Sequence, residues 1–135
     1  MKVLLVEDDA SLAILFRMFL GRMGKDTLEI SHVSTGEEAL QRVSAIRPDV
    51  VLLNIMLPGM DGIEVCRRLC AQPNLAGIKV AMVTALDNEE KRRAARAAGA
   101  MAYWVKPISP RELVDWIMAL GAVSKIMRLP QTQRH

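Results

Sequence analysis

Two carboxylates, an amide, a hydroxyl and an ammonium stand just behind four short apolar runs of this 135-residue chain. Glu7 and Asp8 follow Val3-Leu4-Leu5-Val6, Asn54 follows Val50-Val51-Leu52-Leu53, Thr84 closes the run from Lys79 to Val83, and Lys106 follows the run from Ala102 to Val105. Adjacent carboxylates repel one another. A divalent cation relieves that cost, and magnesium takes one or two carboxylates together with phosphate oxygens and water. A threonine hydroxyl can donate to a phosphoryl oxygen, and a lysine sets a point charge against the same group. The set therefore suits phosphoryl chemistry on the side chain that ends the third run. Taken singly, each residue has a plainer reading: an acidic pair after a strand more often caps a helix, as Asp9 is placed to do, and a lone threonine or lysine at a strand end usually does no chemistry. The joint placement is what points to a site.

The elements that must position these groups alternate. Lys2 to Val6 reads as a strand, and a helical pattern runs from Ala10 to about Met23. A second strand is expected over Asp26 to Ser31, and a helix after Thr35, where Thr35 and Glu38 have capping-box spacing. Val50 to Leu53 is apolar on both faces, as the centre of a parallel sheet covered on both sides requires. The turn formers between Met56 and Gly62 open a helix to about Ala71, and Lys79 to Val83 is a fourth strand. Asp87 and Glu90 are expected to cap a helix to about Ala98, which Gly99 ends, and Ala102 to Val105 is the fifth strand. Ser109, Pro110 and Glu112 start a last helix, expected to stop near Leu120 at Gly121. Five strands alternating with five helices favour a parallel α/β sheet with helices on both faces, in which a site lies at the carboxyl ends of the strands.

Composition bounds the answer. The length suits one domain, and 51% hydrophobic residues are ample for its core. No apolar run approaches the roughly 20 residues that span a bilayer, so a cytoplasmic location with no membrane contact is expected. Cys66 and Cys70 are too few for a zinc site and read as packing residues. The net charge of +3 comes from Lys125, Arg128 and Arg134, since basic and acidic residues balance over positions 1 to 120. Residues 1–121 are therefore read as the domain and 122–135 as a basic, loosely ordered C-terminal tail.

At this point the sequence resembles the receiver domains of two-component response regulators, from Lys2 to about Leu120. The matching stretches are Val-Leu-Leu-Val-Glu-Asp-Asp at 3 to 9, Pro-Asp-Val-Val-Leu-Leu-Asn-Ile-Met-Leu-Pro-Gly-Met-Asp-Gly at 48 to 62, Val-Thr-Ala at 83 to 85, and Lys-Pro at 106 and 107. The resemblance implies a CheY-like, flavodoxin-like doubly wound (βα)5 fold, with a five-stranded parallel sheet in the order 2-1-3-4-5. It implies that Glu7, Asp8, Asn54 and the main-chain carbonyl of Met56 line a magnesium site, that Thr84 and Lys106 contact the phosphoryl group, and that Thr84 and Tyr103 form a switch pair. It further implies docking of a histidine kinase or histidine phosphotransfer protein on the first helix, and an output or dimer surface on the fourth helix, fifth strand and fifth helix. The Lys106-Pro107 bond is similar to one that is cis in the family.

One position departs from the pattern: the family's phosphate-accepting aspartate is Asn54 here. An amide is a far poorer nucleophile than a carboxylate, so phosphorylation should be absent, and magnesium should bind more weakly with one negative charge gone. Either an aspartate has been replaced by substitution, or this is a natural pseudo-receiver that acts as a phosphorylation-independent interaction module. Retention of Glu7, Asp8, Thr84, Tyr103 and Lys106 favours the first. A flavin- or nucleotide-binding enzyme on the same fold is disfavoured, because Glu7-Asp8-Asp9 would repel a cofactor phosphate where a glycine-rich loop is needed. The basic run Lys91, Arg92, Arg93, Arg96 reads as a solvated helix face, and direct nucleic acid binding is not expected. The chain is read as a signalling module and not an enzyme.

Overall fold

A computed structural model describes residues 1–24, 28–75 and 77–127. Its elements are β1 (Lys2–Val6), α1 (Ala10–Gly24), β2 (Glu29–Val33), α2 (Gly36–Ile46), β3 (Val50–Leu53), α3 (Gly62–Cys70), a 3-10 turn (Pro73–Leu75), β4 (Lys79–Thr84), α4 (Glu89–Ala98), β5 (Ala102–Val105) and α5 (Pro110–Met127). The strands form one parallel sheet in the order β2-β1-β3-β4-β5. Chain order thus reverses at β1 and β3, where an α/β sheet opens a crevice at its carboxyl edge.

Alternation along the central strands builds two cores. Val3, Leu5, Val50, Leu52, Ala81 and Val83 pack with Ala13, Phe16 and Leu20 of α1 and Leu113 and Ile117 of α5. Leu4, Val6, Val51, Leu53, Val80 and Met82 face the other way, against Val43 of α2, Leu69 of α3 and Ala95 of α4. Both faces of β3 are buried, as its unbroken apolar run requires. Cys66 and Cys70 are free thiols; burial pushes Cys66 up to about 12, which keeps it an inert packing group.

Three local expectations are corrected. The second strand is Glu29–Val33, later than the Asp26 to Ser31 expected; Asp26 lies outside the described residues. Its span is set by the ladder to β1, from Lys2 opposite Glu29 to Val6 opposite Val33, and that ladder carries the strand through polar Ser31 and His32. The α4 cap is Asn88, whose side chain accepts from the Lys91 N–H at 3.1 Å, while Asp87 instead pairs with Arg92. The last helix does not stop at Gly121 but continues to Met127; residues 128–135 of the expected tail lie outside the described residues. Gly121 meets the Met1 side chain where a Cβ would stand 3.2 Å from its Cε, so the glycine admits a neighbour and ends nothing. The Thr35 cap is as expected, with the Glu38 N–H donating to its hydroxyl at 3.1 Å.

Candidate functional site

The crevice at the carboxyl edge gathers three of the expected residues in direct contact. Glu7, one residue past β1 and 3% exposed, presents Oε2 to the Lys106 ammonium at 3.1 Å and to Nδ2 of Asn54 at 3.2 Å. Two donors thus meet on one carboxylate oxygen. The Asp9 N–H reaches the other, Oε1, at 3.4 Å. Asn54 is anchored by its own N–H on the Val6 carbonyl, and its side-chain oxygen accepts from the Met56 N–H at 3.2 Å. A buried carboxylate is tolerated only when paired and hydrogen-bonded, and here a cation and an amide supply both needs.

The loop from Ile55 to Asp61 is held over this edge by a close backbone approach. Gly62 donates to the Ile55 carbonyl at 2.8 Å, and a Cβ on Gly62 would lie 2.1 Å from the Asn54 carbonyl oxygen, so only glycine fits. Asp61 then caps α3, accepting from the Ile63 N–H at 2.8 Å. Asp8 is exposed and lines a cleft of about 630 Å³ together with Met56, Leu57, Pro58, Leu86 and Lys91.

Thr84 and Tyr103 are linked through a shared partner, Leu86. Thr84 is fully buried, and its hydroxyl accepts from the Leu86 N–H at 3.3 Å. The Tyr103 hydroxyl donates to the Leu86 carbonyl at 2.8 Å. The Lys106 N–H donates to the Thr84 carbonyl at 2.8 Å, and the Lys106-Pro107 bond is cis. Burial, opposed by the nearby Arg92 charge, holds the Tyr103 phenol above tyrosine's ordinary value.

Some participants were not legible in the sequence. Leu86 acts through its backbone, which no side-chain type announces. His32 donates from Nε2 to the Glu7 carbonyl at 2.8 Å, a contact readable only once the β2 register is known. The basic run on α4 is partly paired locally, Arg92 with Asp87 at 2.9 Å and Arg93 with Glu89 at 3.5 Å.

For magnesium the donors fit in kind, but part of the set is already engaged. Glu7, Asp8 and the Met56 carbonyl are the hard oxygen ligands this ion takes. Yet Glu7 already holds an ammonium, Asn54 turns its NH2 toward Glu7, and no cluster of three or more His, Cys, Asp or Glu suited to a metal occurs among the described residues.

A family model described as the response regulator receiver domain matches residues 3–118. The alkaline phosphatase synthesis transcriptional regulatory protein PhoP of Bacillus subtilis is 38% identical over 125 residues, covering 93% of this chain and 50% of its own length. The DNA-binding response regulator MtrA of Mycobacterium tuberculosis is 42% identical over 118 residues, covering 87% of this chain and 49% of its own. The chain spans about half the length of these curated relatives. Among solved structures, a CheY-like response regulator receiver domain protein from Methanospirillum hungatei superposes with a TM-score of 0.82 at 29% identity, over 92% of this chain and 96% of that one. The signal receiver domain of a signal transduction histidine kinase from Syntrophus aciditrophicus gives 0.81 at 29% identity, over 96% and 95%. Sheet order, crevice and family match agree, and the chain belongs to the receiver domains of two-component response regulators.

Proposed function

We propose that this chain is the phosphoryl-receiving module of a two-component relay, in which position 54 is the acceptor position and Asn54 keeps it unmodified. The observation that carries this reading is the meeting of the Asn54 amide and the Lys106 ammonium on one oxygen of Glu7, at 3.2 and 3.1 Å. We read Asn54 as standing in for an aspartate in a site that is otherwise complete. A carboxylate there would attack phosphorus, while the amide lacks the charge to do so. Lys106 would offset charge on the incoming phosphoryl oxygens, and Thr84, released from the Leu86 N–H, would hydrogen-bond one of them.

Receiver domains typically bind magnesium at their acidic site, and Glu7, Asp8 and the Met56 carbonyl would hold it here, more weakly for want of a carboxylate at 54. The ion's part is to neutralise charge on the carboxylates and the phosphoryl oxygens. Tyr103 and Thr84 are proposed as the switch pair, coupled through Leu86. The upstream partner, a histidine kinase or histidine phosphotransfer protein, is proposed to dock on α1, beside the crevice. The output or dimer surface is proposed to be α4, β5 and α5.

The test is intact-protein mass after treatment with acetyl phosphate and magnesium. Asn54→Asp should gain one phosphoryl group, labile in base as acyl phosphates are, and the Asn54 chain should gain none. A folded Asn54→Asp variant that stays unlabelled would overturn the assignment of Glu7, Asp8, Thr84 and Lys106 as a working site.

A further inference from the structure

A closed circuit of contacts surrounds the single tyrosine of this chain. The Thr84 hydroxyl holds the Leu86 N–H, and the Leu86 carbonyl holds the Tyr103 hydroxyl. The Tyr103 ring lies under the Arg92 guanidinium, whose Cζ is 4.8 Å from the ring centroid. Arg92 in turn is tied at 2.9 Å to Asp87, the residue that follows Leu86, so the circuit returns to the loop where it began. Each contact alone is weak: a surface ion pair and a cation resting on an aromatic face both contribute little when solvated. Together they join α4, β5 and the loop between β4 and α4.

Resting on the receiver reading above for the part Tyr103 plays, we infer that Arg92, oriented by Asp87, is a positioning residue that clamps Tyr103 onto the Leu86 carbonyl and so fixes the β4–α4 loop beside Thr84 with no phosphoryl group required. The planar guanidinium matters, because it can lie flat on the ring while one of its nitrogens still reaches Asp87. The chemistry of position 54 takes no part in any of these contacts. Displacing Thr84 toward a phosphoryl group would have to work against the clamp, because the Thr84 hydroxyl and the Tyr103 hydroxyl grip opposite ends of the same residue.

The phenolate of Tyr103 gives a readout that separates a clamp from a bystander charge. Burial raises the phenol's midpoint, the Arg92 charge lowers it, and Asp87 raises it. If Arg92 merely sits nearby, Arg92→Gln removes a lowering charge and the midpoint rises. If Arg92 is the clamp, the variant frees the ring, the hydroxyl reaches water, and the midpoint falls toward tyrosine's ordinary value. The experiment is an ultraviolet titration of the unmodified Asn54 chain and its Arg92→Gln and Arg92→Lys variants, with hydrogen exchange followed at the Leu86 amide. The expected result is a lower midpoint and several-fold faster Leu86 exchange in Arg92→Gln, with Arg92→Lys between it and the parent because it keeps the charge but not the flat face. A raised or unchanged midpoint with unchanged exchange would overturn the clamp. No phosphoryl transfer enters this measurement, so it can fail while labelling at position 54 succeeds, and the reverse.

Discussion

At the scale of single residues, the asparagine does more than remove a nucleophile. Its NH2 bonds the buried Glu7 carboxylate and its oxygen takes the Met56 N–H, so both ends of the amide are used. An aspartate in the same place loses the first of these bonds and sets a second negative charge against Glu7. We therefore expect Asn54→Asp to be less stable than the Asn54 chain by about 1–3 kcal/mol in the presence of a chelator, from the lost bond to a charged group. Millimolar magnesium should recover most of that difference, because an ion that binds only the folded form stabilises it by mass action. Thermal melts with and without magnesium check this, the Asn54 chain showing little response. An Asn54→Asp protein as stable as its parent under chelation would mean that the amide contributes nothing to holding Glu7. The five polar residues were legible as types at strand ends, since charge and hydroxyl chemistry announce themselves in apolar surroundings. The contacts of Leu86 and His32 were not, being made to or by backbone atoms.

At the scale of elements, β3 and its neighbours were plain from apolar runs, while β2, an edge strand, was misplaced because its span is dictated by pairing with β1 and not by its own hydrophobicity. The α4 cap was shifted by one residue for a similar reason. Asp87 and Asn88 are both good capping types, and only the geometry decides that Asn88 faces the helix while Asp87 faces Arg92. Helix α1 shows what pattern alone hides. Ala13, Phe16 and Leu20 are buried, yet Ile14 and Met18 are 61% and 52% exposed, so an apolar face is also turned outward. Beside it, Leu12, Leu15, Phe16 and Phe19 line a groove of about 430 Å³ with Pro107 and Ile108, next to Lys106. Such a face is costly in water unless something covers it, and partner docking is the use proposed above. The double variant Ile14→Ser, Met18→Ser should weaken binding of the cognate histidine kinase or phosphotransfer domain by tenfold or more, about 1.4 kcal/mol. Its stability should change by no more than about 0.5 kcal/mol, as for exposed sites generally. Calorimetric titration checks the first and melting the second; undiminished affinity would place the docking surface elsewhere.

For the whole molecule, the alternation of five strands and five helices was enough to give a parallel sheet, and the family resemblance gave its order, which the structure shares. The end of α5 was not legible, because Gly121 looks like a stop signal until Met1 is seen packed against it. No described helix is long and apolar enough to cross a membrane. With Arg92 and Arg93 paired within their own chain, the α4 face has some of its charges already engaged, and a partner copy would have to compete for them. We expect a monomer at low concentration in sedimentation; a tight dimer through α4, β5 and α5 without any phosphate analogue would show that the face needs no switch. The proposal that position 54 is the phosphoryl acceptor of this fold rests on Glu7, Asp8, Thr84 and Lys106 being grouped to serve it. Its most direct test is to treat Asn54→Asp with acetyl phosphate and magnesium, trap the acyl phosphate by borohydride reduction to homoserine, and map the peptides by mass. The predicted result is homoserine at residue 54 and nowhere else, abolished in the Asn54 chain; reduction product at another carboxylate, or none in a folded variant, would contradict it.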